Sequence, residues 1–217
     1  LSEPQDEPQK GKRRRSLATR QDIIDATIAC FIDIGYFRTT TTEIARKAGV
    51  TRGAVQHYFP TTEHVLKASV DYLVDAWIEA FYDSVENSST GKDSIDFAVD
   101  NLWAFVNDPL YIAWKELVAA ARTDEALREI IEPAAGRYEQ VRRDMGNEAY
   151  GAFRDAAQEK FSLNRDALRF LLEGMSSSVL TYEKDQRIEA QLKRAKRILH
   201  AEWEQEAADQ KIPVTHD

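Results

Sequence analysis

The stretch from Thr39 to Pro60 constrains this chain more than any other. It holds two helical patterns of about seven residues each, joined by Gly49-Val50-Thr51 and stopped by Pro60. Isolated helices below about 12 residues are marginal in water. Neither segment can stand alone, so both must pack on a third element. The pattern just upstream supplies one: Ile23, Ile24, Thr27, Ile28, Phe31 and Ile34 recur at three- and four-residue spacing, one face of a helix. Gly35 ends that helix. Thr40 with Glu43 reads as a capping box for the second segment, and Thr51 as the cap of the third. Ile44, Ala45, Val50, Val55 and Phe59 are expected to face inward. This is a helix-turn-helix pattern.

Downstream the apolar spacing stays helical. Thr61 or Thr62 with Glu63 opens a long helix to about Ser84, with Val65, Leu66, Ser69, Leu73, Trp77 and Phe81 on its inner face. Further helices are expected over about 93–107, 109–121 and 124–131. Pro133 reads as the start of another helical run toward Phe161. Asn164 reads as the cap of a helix reaching Tyr182, and a last helix covers about 185–209. With about nine helical patterns, no strand pattern and only 9 Gly and 6 Pro in 217 residues, the fold class is all-α. It comprises an N-terminal three-helix head and a C-terminal helical domain. The expected divisions are an arm over 1–16, a helix-turn-helix domain over 17–64, a helical domain over 65–210 and a tail over 211–217.

Charge is unevenly spread. Residues 10–64 carry ten Lys/Arg against five Asp/Glu, while the whole chain sums to −8. A basic head on an acidic body points to a polyanion at one end. Cys30 is the single cysteine, which excludes an internal disulfide framework and a multi-cysteine zinc site. No apolar run approaches the roughly 18 residues of a membrane span. Residues 1–16 are polar, contain two prolines and end in Lys12-Arg13-Arg14-Arg15, so a disordered arm rather than a signal peptide is expected. A soluble, cytoplasmic protein with no membrane partner is expected.

At these residues the sequence resembles the TetR family of bacterial transcriptional regulators. The resemblance covers residues 19–66 and rests on Ile23 through Phe31, Gly35-Tyr36, Thr39-Thr40, Ile44-Ala45, Ala48-Gly49-Val50, Gly53 and Tyr58-Phe59-Pro60. It implies a homodimeric repressor that reads a near-palindromic double-stranded DNA operator and responds to a small-molecule effector. Family members often touch phosphates at the positions of Thr41, Tyr58 and Thr62. A lysine frequent in the family is replaced here by Thr62 and an arginine by Thr42, so two phosphate cations are missing.

The residues support a reading surface independently. A helix entering the major groove needs donors and acceptors outside and anchors inside. Thr51, Arg52, Gln56 and His57 can point outward, and Val55 and Phe59 inward. Arg52 suits a bidentate contact to guanine and Gln56 one to adenine. Gly53 permits close backbone approach, and Tyr58 can reach a phosphate. The resemblance adds Thr40 and Thr41, at the entry of the second helix, as candidate DNA contacts. Arg14 and Arg15 either lie along the DNA or serve only solubility. His57 is read as a contact residue, since no cluster around it suits a metal.

For the body, Trp77, Phe81, Trp103, Tyr111, Trp114 and Phe170 are candidates to line a mostly apolar ligand pocket, against the alternative of ordinary core. Leu168, Leu172, Met175, Val179, Leu192, Leu199 and Trp203 are candidates for a dimer seam, against packing within the same chain. Gly174-Met175-Ser176-Ser177-Ser178 gives a small-residue face that permits close helix approach. No nucleophile elbow, phosphate loop, dinucleotide fingerprint or zinc-protease motif occurs, and no Glu stands three residues before any of the four histidines. Neither an enzyme nor a cofactor is expected. The rival reading is a constitutive DNA-binding helical protein that recruits a protein partner without a small-molecule switch.

Overall fold

The computed structural model describes residues 7–86, 93–149, 156–178 and 186–209, with nine α-helices and no strand among them. They are α1 (Glu7–Ile34), α2 (Thr41–Ala48), α3 (Arg52–Tyr58), α4 (Thr62–Glu86), α5 (Asp93–Val106), α6 (Pro109–Ala121), α7 (Glu125–Ala149), α8 (Ala156–Ser177) and α9 (Gln186–Asp209). A 3-10 turn, Tyr36–Arg38, follows α1. No helix among the described residues is long and apolar enough to cross a membrane. The residues cluster into two units. One takes the chain through Glu79 together with Ile112–Gln140, and the other takes Ala80–Tyr111 and the chain from Val141 onward.

The first unit is built on α1. Ile23, Ile24, Ala26, Ile28 and Phe31 bury one stripe of it, and Ile44, Ala45, Val55 and Phe59 close over that stripe from α2 and α3. Thr27 and Ser69 are fully buried, and each hydroxyl donates to the carbonyl four residues earlier, Ile23 and Val65, at 2.8 Å. This satisfies the group without a partner from another helix. Gly49 caps α2 at φ 67°, a left-handed conformation that side-chain-bearing residues avoid. Val65, Val70, Leu73, Val74, Leu117, Leu127 and Ile131 extend the core through α4, α6 and α7.

The second unit packs α5 against α8 and α9. Val99, Val106 and Leu172 are fully buried there, and Ala195 nearly so. Asp96 and Asp100, one turn apart on α5, face His200 and Lys196 on α9 at 2.8 and 2.6 Å. The reversed order of the pairs makes the two helices antiparallel.

Three boundaries differ from the sequence expectation. α1 begins at Glu7, so residues 7–16 extend the helix rather than form an arm. Lys, Arg and Gln are good helix formers, and an apolar stripe is needed only where the helix is packed. Pro133 lies inside α7 instead of opening a helix. An interior proline costs about 3 kcal/mol. Burial of Leu127, Ile131 and Ala134 on that helix offsets the cost. Asn164 sits within α8, and its amide donates to the Glu202 carboxylate on α9 rather than capping anything. The expected stretch from 179 to Tyr182, residues 1–6 of the arm and the tail over 211–217 lie outside the described residues.

Candidate nucleic-acid interface

α3 has one buried face and one bare face. Val55 is fully buried and Phe59, just past the last turn, is 4% exposed. Thr51, Arg52, Gly53, Gln56 and His57 are all exposed. Arg52 and Gln56 stand one turn apart, about 6 Å along the axis. Arg52 takes part in no ion pair among the described residues. Tyr58 is half-buried with its ring edge-on to His57 at 5.3 Å. Gly53 has no steric reason within the chain: a Cβ there would meet only Thr51 Oγ1, at 3.9 Å.

The threonines do two jobs. Thr51 Oγ1 accepts from the Ala54 N–H at 3.1 Å, capping α3, and Thr40 Oγ1 accepts from the Glu43 N–H at 3.3 Å, capping α2. Each hydroxyl keeps its own hydrogen for another acceptor. Only half of the expected capping box forms, because the Glu43 carboxylate turns to Arg46 at 2.8 Å. Thr41 opens α2, and Thr62 opens α4 in an exposed position.

Several other cations of the head are already engaged. Arg46 pairs with Glu43, Lys47 with Asp33, and the Arg20 guanidinium lies 5.1 Å over the Phe59 ring. Arg52 stands on the bare face of α3. Arg15 is exposed on α1, while the Arg14 side chain lies outside the described residues.

A polar joint ties the turn after α1 to α6 and α7. The Tyr36 N–H donates to Glu116 Oε1 at 2.7 Å, and the Tyr36 hydroxyl donates to Asp124 Oδ2 at 2.8 Å. Asp124 also caps α7, accepting from the Leu127 N–H at 3.0 Å. That cap, more than the Tyr36 bond, holds the Asp124 carboxyl below its usual range. Burial and then the Asp124 carboxylate push the Tyr36 phenol up to about 12. Gly35 makes the approach possible: its φ is +77°, and a Cβ would sit 2.6 Å from Glu116 Oε1. Sequence reading found Gly35 and Tyr36 but not Glu116 and Asp124, which lie about 80 residues away in sequence with no periodic signal.

The body residues separate. In the first unit Trp77 packs edge-on against Trp114 at 5.7 Å and meets Tyr138 at 5.8 Å. In the second, Phe105 and Tyr111 have ring centroids 4.6 Å apart. Phe81 and Trp103 are half-buried. Phe170 is 61% exposed, with Arg169 stacked on it at 5.2 Å, so it lines no interior. Leu172 is fully buried in the chain's own core and is not free to meet another chain. On α9, Leu192, Leu199 and Trp203 are half-buried on the side of buried Ala195, the side that meets α5. Leu168 and Met175 are half-buried, and Val179 lies outside the described residues. The bare apolar face of α8 instead carries Leu163, Phe170 and Leu171, at 64, 61 and 41% exposure. Gly174 shares it, with nothing within 4 Å of a Cβ built there. Among the described residues no group of three or more His, Cys, Asp or Glu is placed to hold a metal.

Comparison with known proteins agrees with this geometry. Residues 23–69 match the model of bacterial regulatory proteins, tetR family. A helix-turn-helix transcriptional regulator of Mycobacterium tuberculosis is 27% identical over 141 residues, 65% of this chain and 71% of that one. The transcriptional regulator BetI of Serratia proteamaculans is 41% identical over 61 residues, 28% of this chain and 31% of that one. Among solved structures, a TetR-family regulator of Mesorhizobium loti superposes with a TM-score of 0.65 at 19% identity, covering 89% of this chain and 97% of the other. The regulator FadR of Bacillus subtilis, solved with stearoyl-CoA, superposes with a TM-score of 0.60 at 18% identity, covering 82 and 96%. At these identities the structural likeness speaks to fold.

Proposed function

We propose that this chain, whose residues 23–69 match the model of bacterial regulatory proteins, tetR family, is a DNA-binding transcriptional regulator of that kind, a homodimeric repressor whose operator affinity is set by a small ligand in its carboxy-terminal part. The observation that carries the DNA half is the bare face of α3, where Arg52 and Gln56 are exposed and Gly53 has no in-chain neighbour to spare. Thr40, Thr41, Thr51, Tyr58 and Thr62 serve as phosphate contacts, with Arg14 and Arg15 on α1 as further ones. His57 adds a polar contact on the same face. Two copies are needed because one seven-residue helix reads only a few base pairs. Leu163, Phe170, Leu171 and Gly174 on α8 form the face that joins them, as an isologous interface would require.

Ligand control runs through the joint at Tyr36. A ligand that binds one arrangement of α6 and α7 better than another shifts Glu116 and Asp124, and with them the turn that positions α1 and the reading head. The stearoyl-CoA bound to FadR of Bacillus subtilis supports a ligand in a chain of this fold. Coupling of about 1–3 kcal/mol would change operator affinity 5- to 150-fold.

A reporter driven from an operator that the protein selects out of a random duplex library tests the reading. Expression of the protein is expected to lower transcription, and Arg52→Ala to restore it. Higher transcription would make the protein an activator. Operator affinity that is the same with a bound ligand and without it would leave the constitutive rival in its place.

A further inference from the structure

Arg38, in the 3-10 turn after α1, is exposed and makes no ion pair among the described residues. The acids nearest to it in sequence, Asp33 and Glu43, are taken by Lys47 and Arg46. Glu116 and Asp124, which meet the same turn, accept from the Tyr36 N–H and hydroxyl.

Its place is fixed all the same. Arg38 Nε donates to the Ile34 carbonyl at 2.9 Å, and the Thr39 hydroxyl to the Gly35 carbonyl at 2.9 Å, so both side chains close the end of α1. The Thr39 N–H donates to the Tyr36 carbonyl at 3.0 Å, and Tyr36 is itself tied to Glu116 and Asp124. The Nε–H is one of five guanidinium donors. Those on the two Nη nitrogens lie in the same plane and have no partner among the described residues. Closing α1 needs one donor and no charge, a job that glutamine could do. The cation and its fork are in excess of that job. Arg38 also stands just before Thr40 and Thr41, about 10 Å of fully extended chain from the second.

We propose that Arg38 is a further DNA-binding residue, clamping a backbone phosphate beside Thr40 and Thr41 at each half-site. The guanidinium fork matches a phosphate, and with Nε already held it loses less freedom on binding one. Phosphate contacts fix register and orientation but carry no sequence information. Arg38 therefore sets how tightly the head holds a duplex, while Arg52 and Gln56 set which duplex it prefers. The inference rests on the reading of the chain as a dimeric DNA binder and adds to it a contact that composition alone does not single out.

Titration of a labelled duplex, selected by the full chain from a random library, tests it over a series of salt concentrations. Each phosphate contact contributes about 0.9 to the slope of log affinity against log salt. Arg38→Gln keeps a donor for the Ile34 carbonyl and loses the charge. It is expected to lower that slope by about 1.8 for a dimer, with the melting temperature unchanged. The loss of affinity is expected to be the same on the selected duplex and on its single-base variants, unlike that of Arg52→Ala. Arg38→Lys, which keeps the charge without the fork, is expected to hold most of the slope. Arg197→Gln removes an exposed charge from α9 and is expected to leave the slope where it was. A slope untouched by Arg38→Gln, or lowered equally by Arg197→Gln, would overturn the proposal and leave Arg38 only as a cap for α1. A wild-type chain that binds no duplex at low salt would remove the underlying reading as well, so the two failures are distinct.

Discussion

Replacing Gly53 by alanine should move stability and DNA affinity in opposite directions. The added methyl meets only Thr51 Oγ1, at 3.9 Å, an ordinary contact. Gly53 lies within α3, where glycine costs roughly 0.5–1 kcal/mol relative to alanine. The variant should therefore be more stable by about that amount, or about 1–4 °C in Tm for a chain of this size. On the bare face of α3, however, the same methyl holds the helix away from the groove wall. Disturbing one contact position in a specific complex costs about 1–3 kcal/mol, or roughly 5- to 150-fold in affinity. The assay is a pair of measurements on one preparation: a melting curve, and titration of a labelled operator at fixed salt. A variant that melts higher and binds as tightly as wild type would refute the reasoning, since Gly53 would then not face DNA. A variant that melts lower would refute the steric half.

Other consequences are as direct. Arg52→Ala should relax preference at one base per half-site by about 1–3 kcal/mol, read by competition with single-base operator variants. Tyr36→Phe removes the hydroxyl bond to Asp124 and should cost about 0.5–1.5 kcal/mol in urea unfolding. The Tyr36 phenol is raised to about 12 in the fold, so its contribution is complete below pH 10, the unfolded value, and is lost as pH rises toward 12. Wild-type and Tyr36→Phe stabilities should converge over that range. Asp124 has the opposite sign: its lowered carboxyl gives stability that is present at neutral pH and lost as acid protonates it. Phe170→Glu puts a charge on the bare face of α8 and should shift sedimentation from dimer to monomer while leaving α8 helical, since Phe170 is 61% exposed within the chain.

The head was legible because its signals are local. Apolar spacing in α1, threonine caps at 40 and 51, and glycines at 35 and 49 each fix a few residues and all agree. The body was less legible for a physical reason. Apolar periodicity finds buried stripes but not what they face: it marked Leu172 correctly as apolar on α8, yet Leu172 serves the chain's own core, and Phe170, two residues away, points outward. Charged residues inside escaped altogether. Arg165, with a side chain 14% exposed, shares a helical face with Leu172, a spacing that could have flagged it, but arginine is exposed by default. Pro133 misled because proline suits a first helical turn and reveals nothing of the tertiary packing that holds it mid-helix in α7. The Tyr36 joint could not be read at all, since hydrogen bonds across 80 and 88 residues leave no trace in spacing.

Selection of a random duplex library by the purified protein, at a stated salt concentration, tests the central claim most directly. A dimer reading DNA through α3 should recover a near-palindromic site, with half-sites about one helical turn, or a multiple of it, apart. The recovered preference should weaken at one position per half-site when Arg52 is alanine. Binding that is salt-sensitive but blind to sequence, and unchanged by Arg52→Ala, would mean that the basic head attracts DNA only through its charge and would contradict the account.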